Sequence, residues 1–163
     1  MSDLVIPLDI FDLDSVNAAK DRLRAYYRRL DRKATEICER LASIGKVRAS
    51  LGFSSAIYDG NNDVAITVEQ TGETSYSVKA DGESVLFIEF GSGVTYGYGH
   101  PDPQGYGPGT YPSDKGHWND PNGWYYAHGK KTFGNPPAAA MYQAEQEIRQ
   151  SIEQVCKEVL GND

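Results

Sequence analysis

The chain of 163 residues is long enough for one domain whose core needs no disulfide or metal staple. Its 39% hydrophobic and 24% charged residues exclude global disorder. A formal charge of −7 excludes nucleic-acid binding by the surface as a whole, because that needs a basic footprint.

Charge is unevenly spread: residues 15–50 hold ten of the sixteen Lys/Arg against four acids. That block reads either as a basic helix docked on acidic neighbours or as a basic face for a partner or nucleic acid. The opening MSDLVIPLDIFDLDS has no basic n-region, and no apolar run nears the ~18 residues of a membrane span. The expectation is a protein made and kept in a reducing cytoplasm, away from membranes. Cys38 and Cys156 lack metal-ligand spacing and are expected as small core residues.

Residues 15–44 give the clearest pattern. Val16, Ala19, Leu23, Tyr26, Leu30, Ala34, Ile37, Leu41 and Ile44 recur at spacings of three and four, one stripe of an amphipathic helix. Asp14 or Ser15 is a natural N-cap and Gly45 a natural stop. Arg22, Arg28, Arg29, Arg32, Lys33 and Arg40 fall on the other face. Such a helix spans roughly 45 Å, long enough either to project beyond its own core or to break within DRK at 31–33.

The middle of the chain predicts a three-stranded antiparallel meander over 63–90. In DVAITVEQ (63–70), Val64, Ile66 and Val68 alternate with polar or small residues. In SYSVKA (75–80), Tyr76 and Val78 do the same, and SVLFIEF (84–90) reads as the most buried strand. Glu89 interrupts that apolar run. An unpaired buried carboxylate is costly, so it is expected at an edge or subunit boundary, paired with Lys130 or Lys131.

A Gly/Tyr/Pro-rich loop over 91–123 follows, then a short strand, WYYAHG (124–129), and a C-terminal helix over 137–160. Pro136 and Pro137 suit that helix's first turn, and Met141, Ala144, Ile148, Ile152, Val155 and Val159 form its stripe. The fold class is therefore α+β: a small antiparallel sheet of three or four strands packed by two helices.

Catalytic signatures are weak. His100, His117 and His128 lie among Asp102, Asp114 and Asp120, and a metal-dependent hydrolase using them is one alternative. Their spacings match no recognised ligand frame. There is no Gly-x-Ser-x-Gly elbow and no glycine loop opening a helix. The aromatic load says more. Tyr96, Tyr98, Tyr106, Tyr111, Trp118, Trp124, Tyr125 and Tyr126 crowd a stretch poor in Lys and Arg. Stacking on single-stranded bases wants a cationic groove, whereas Tyr and Trp among Gly and polar residues suit a protein contact. Partner binding, to an assembly neighbour or to a host or defence factor, is the reading these residues favour.

Two short motifs add a resemblance. Glu89, Phe90, Gly91 and Gly93 match a Glu-Phe-Gly-Thr/Ser-Gly turn. Gly134, Pro136, Pro137, Ala138, Met141 and Tyr142 match the Gly-x-Pro-Ala start of a final helix. In this order, after an amphipathic helix and DVAITVE, they resemble the Hong Kong ninety-seven gene-product-ten-like family of phage neck, tail-completion or head–tail joining proteins. Asn135 and the second proline depart from the usual Gly-x-Pro-Ala, and the aromatic loop is unusually long.

The resemblance implies a non-enzymatic virion protein without a cofactor, assembled in the host bacterial cytoplasm. It implies a homo-oligomeric ring of six or twelve copies between head-completion and tail-tube or terminator proteins. Genomic DNA would pass through the lumen without sequence-specific binding, and an acidic wall would let the duplex slide. Glu89, the eight loop aromatics, and Arg28, Arg29 and Arg32 are the expected partner contacts.

Overall fold

The computed structural model describes residues 5–93, 99–102, 120–125 and 129–161. It is α+β. In chain order the elements are α1 (Leu13–Ser54), β1 (Ala65–Gly72), β2 (Ser75–Asp81), α2 (Val85–Phe90), β3 (Trp124–Tyr125), β4 (Lys131–Thr132) and α3 (Ala140–Gly161). The strands form two separate antiparallel pairs, β1–β2 and β3–β4, rather than one sheet.

At 42 residues, α1 is about 63 Å long. It starts earlier than the sequence suggests because Asp12 is the N-cap, its carboxylate accepting from the Asp14 N–H. It also runs ten residues past 44. Gly45 does not stop it; Gly45 lies within the helix, buried against α3 and β2. A Cβ there would sit 2.5 Å from Ile148 Cδ1 and 3.3 Å from Val78 Cγ2. The helix ends instead where the Ser55 N–H returns to Leu51 O and the Asn62 amide donates to Phe53 O at 2.9 Å.

The two long helices run antiparallel, since Gly52 meets Ala140, Gly45 meets Ile148 and Arg40 reaches Glu158 at 3.5 Å. Burial on α1 begins only at Ala42 and continues through Gly45, Ala49 and Phe53. Small side chains let the backbones come close, and Phe53 then packs with Ile88 and Ala140 at the centre of the core. The predicted stripe from Val16 to Ile44 is at best half-buried, and Leu23 is exposed. From Leu13 to about Arg32, roughly 30 Å of α1 therefore extends past the end of α3 as an arm.

Strand β1 bears out the period-two pattern, whereas in β2 Ser77 is half-buried like Tyr76 and Val78 on either side of it. Ile66 and Val68 turn inward opposite Ala80 and Val78, while Ala65, Thr67 and Glu69 stay exposed. The third predicted strand is corrected: VLFIEF is the short helix α2. Its start is fixed from a distance by Asp63. That carboxylate accepts from the Glu83 N–H at 2.8 Å, the Ser84 N–H at 2.9 Å and the Ser84 hydroxyl. These bonds, the Ser84 hydroxyl first, hold the Asp63 carboxyl at about 2, below its ordinary 3.8.

The C-terminal helix is also corrected at its start, from 137 to Ala140. The N–H groups of Ala138 and Ala139 donate to Ile88 O (2.8 Å) and Glu89 O (3.0 Å), closing the C-terminus of α2 before α3 begins. Ala139 turns the chain between these roles at φ 48°, a strained value for a residue with a side chain. Cys38 and Cys156 are free thiols and half-buried rather than core. Among the described residues, no helix is long and apolar enough to cross a membrane.

Candidate interaction site at the base of the aromatic loop

The two motifs that carry the resemblance lie some forty residues apart in sequence and side by side in space. Ser92 and Asn135 exchange backbone bonds at 2.9 and 3.1 Å as an antiparallel bridge. The Ser92 hydroxyl donates to Asn135 Oδ1, and the Asn135 amide donates to Phe87 O at 2.9 Å. The backbones come so close that a Cβ on Gly134, at φ 105°, would collide with Ser92 O. Glycine is required there on both counts. Asn135 is the residue that ties the clamp.

Glu89 anchors the same junction from inside. It is 5% exposed and pairs with neither Lys130 nor Lys131, so that expectation is corrected. Its Oε2 accepts from the Met141 N–H at 2.9 Å, and its Oε1 accepts from the Tyr142 N–H at 3.1 Å. These are two of the orphan amides at the start of α3. The cap position belongs to Ala139, which has no side-chain oxygen, so Glu89 supplies the cap from another element and places its charge at the helix's positive end. Lys130 instead bonds Asp59 at 2.6 Å, and the Lys131 ammonium sits 5.1 Å over the Phe133 ring.

His100 completes the junction. The Asp102 N–H donates to its Nδ1 at 3.0 Å, so the ring proton belongs to Nε2, which donates to Glu89 Oε1 at 3.2 Å. The ring packs 4.5 Å from Phe90 and 5.9 Å from Tyr142, centroid to centroid. Both ring nitrogens are engaged, so His100 here fastens residues 99–102 to the start of α3. Among the described residues, no group of three or more His, Cys, Asp or Glu could hold a metal ion. His117, His128 and Asp114 lie outside the described residues; Asp120 accepts from the Asn122 N–H in a turn.

Of the expected contact aromatics, Trp124 is half-buried and Tyr125 is 68% exposed on the β3–β4 pair. Tyr96, Tyr98, Tyr106, Tyr111, Trp118 and Tyr126 lie outside the described residues. Arg28, Arg29 and Arg32 are exposed together on the α1 arm, within an arc of about 100°. The Arg29 guanidinium lies 5.5 Å from the Tyr26 ring centre. Arg28 is some 38 Å along α1 from Phe53, beside which the loop junction is built. Among the described residues, the arm arginines and the pair Trp124 and Tyr125 thus lie towards opposite ends of the long helix, while Glu89 is buried rather than at a surface.

Sequence reasoning missed Asn135, Asp63 and the apolar N-terminal residues Ile10 and Phe11, which are exposed at the tip of the arm. Only the last had a visible signal, an apolar segment ahead of a helix with no element to cover it. Comparison with protein-family models, curated proteins and solved structures finds no match for this chain.

Proposed function

We propose that this chain is a structural protein of a tailed-phage virion, a neck or tail-completion component that joins tail to head. In this reading copies assemble into a ring of six or twelve around a DNA conduit, and the chain performs no catalysis and carries no cofactor. The observation that supports it best is the division of the exposed contact residues into two unlike surfaces. Arg28, Arg29 and Arg32 stand on the arm at one end of α1, and the Ser92–Asn135 clamp with exposed Tyr125 lies towards the other. Unlike faces at two ends are what a heterologous, head-to-tail assembly uses. The motif order of the first subsection supplies the virion context. Genomic DNA would pass the lumen without sequence-specific contacts, and the neighbours would be head-completion and tail-tube or terminator proteins.

Mass measurement of the purified protein together with negative-stain imaging tests this. Closed rings of defined mass are the expected result. A monomer at all concentrations that also fails to join isolated heads or tails would overturn the reading.

A further inference from the structure

We propose that the apolar segment Val5–Leu13 of one copy docks into a groove on α1 of a second copy. This rests on the assembly reading above and names one of its contacts. The segment is apolar and open: Phe11 is 94% exposed, and Val5, Leu8, Ile10 and Leu13 are exposed with it. Its tip is nevertheless ordered. The Asp9 N–H donates to Ser15 Oγ at 2.8 Å, Asp9 Oδ1 accepts from the Phe11 N–H at 3.0 Å, and the Asp12 N–H reaches Asp9 O at 3.3 Å. The turn presents Ile10 and Phe11 outward in a preset shape, which lowers the entropy cost of docking.

The receiving surface is an open groove of about 460 Å³ lined by Ser43, Ile44, Val47, Arg48, Leu51 and Glu147. Val47 is 61% and Leu51 56% exposed, on a part of α1 whose other side is packed on α3. Three arguments select a second copy as the occupant.

Reach is the first. Val47 stands roughly 34 residues along the helix from Leu13, or about 51 Å at 1.5 Å per residue. The eight residues from Val5 to Asp12 span at most about 28 Å fully extended. The segment therefore cannot fold back onto its own groove, and any contact between the two is between chains.

Charge is the second argument. Residues 5–14 carry Asp9, Asp12 and Asp14 and no base. The groove's charged lining is Arg48 and Glu147, which balance one another, so it sets no net negative charge against these aspartates. Arg48 is held in place by its bond to the Gln143 amide oxygen. An acidic apolar knob thus meets an apolar strip whose rim offers it Arg48.

The third argument is the competing cleft between α1, β2 and α3, of about 470 Å³ and lined by Cys38, Leu41, Tyr76, Val78 and Ile148 among others. Its one charged lining residue is Glu145, which would repel Asp9 and Asp12 of the segment.

Cysteine trapping tests the contact on the full-length chain. With Cys38 and Cys156 replaced by Ser, chains carrying Phe11→Cys are mixed with chains carrying Val47→Cys under mild oxidation. Phe11 and Val47 are exposed, so neither change threatens folding. The expected result is a dominant disulfide between the two unlike chains. Phe11→Asp alone should weaken self-association at least about tenfold, and Leu51→Asp should match it.

If the protein forms its multimer but traps no such pair, or Phe11→Asp assembles normally, the arm-and-groove contact is wrong and the assembly reading stands. Trapping of Phe11→Cys by the native Cys38 in a chain that retains it puts the arm in the other cleft and also overturns the proposal. A protein that stays monomeric throughout overturns both.

Discussion

Glu89 Oε1 and His100 Nε2 lie 3.2 Å apart, and through that contact the segment leaving α2 is bound to the start of α3. One carboxylate closes two backbone amides and one imidazole, all away from bulk water. In Glu89→Gln one of its oxygens becomes an amide NH₂ and must face a donor. The variant should lose about 2 to 3 kcal/mol of stability, and Glu89→Ala at least as much, because two backbone amides and the imidazole N–H lose their acceptor. The midpoint of urea unfolding measures both, and an unshifted midpoint for Glu89→Ala would refute the capping role.

His100→Ala should cost less, about 1 to 2 kcal/mol, because Glu89 keeps its two backbone donors. The double variant Glu89→Ala/His100→Ala should be less destabilised than the sum of the single changes. A coupling near zero in that cycle would mean that the imidazole and the carboxylate act independently.

Asp63 gives the acid dependence. Its carboxyl sits at about 2 in the folded chain, held down by the Ser84 hydroxyl and the Ser84 and Glu83 amides. A lowered folded value means the contribution is full above pH ~4 and is lost as pH falls through about 2. Thermal melts of the native chain and of Asp63→Asn between pH 5 and pH 2 should converge towards acid. Parallel curves across that range would show that α2 does not depend on the ionised carboxylate.

Gly134→Ala places a Cβ against Ser92 O at a φ of 105°. The clamp should open, with a loss of at least about 2 kcal/mol. Amide exchange at Ser92 and Asn135 reads the change locally, and unaltered protection of both would contradict the geometry.

Arg28→Glu, Arg29→Glu and Arg32→Glu lie on the exposed arm, away from the core. The triple variant should melt within about 1 kcal/mol of the native chain yet lose self-assembly or attachment to its virion neighbours. Tyr125→Ala should behave in the same way at the other end. Normal assembly by both variants would remove these residues from the interface.

What could be read from the chain depended on whether its cause was local. The alternation of Ile66 and Val68 against Thr67 and Glu69 is a local consequence of one buried face, and the hairpin follows it. SVLFIEF was ambiguous because a short apolar run suits a buried strand or a buried helix equally. Asp63, twenty residues upstream, decides for helix by holding the first amides. Gly45 looked like a stop, and only Ile148, a hundred residues away, explains why a glycine is needed in mid-helix. Pro136 and Pro137 looked like a first turn, but Ala138 and Ala139 first close the carbonyls of α2. Glu89 was singled out correctly as an anomaly, while its partners on α3 and at His100 carried no sequence mark.

The Ser92–Asn135 bridge has a consequence for how this protein could diversify. It brings the two ends of a forty-residue excursion to within hydrogen-bond distance, so the framework fixes those ends and touches the span between them at His100 and Lys130. Doubling the length of a loop costs only about 0.6 kcal/mol in closure entropy. A change of length between the clamped ends that spares His100 and Lys130 would therefore cost the framework little. The tip would be retuned to a new neighbour without renegotiating the helices beneath.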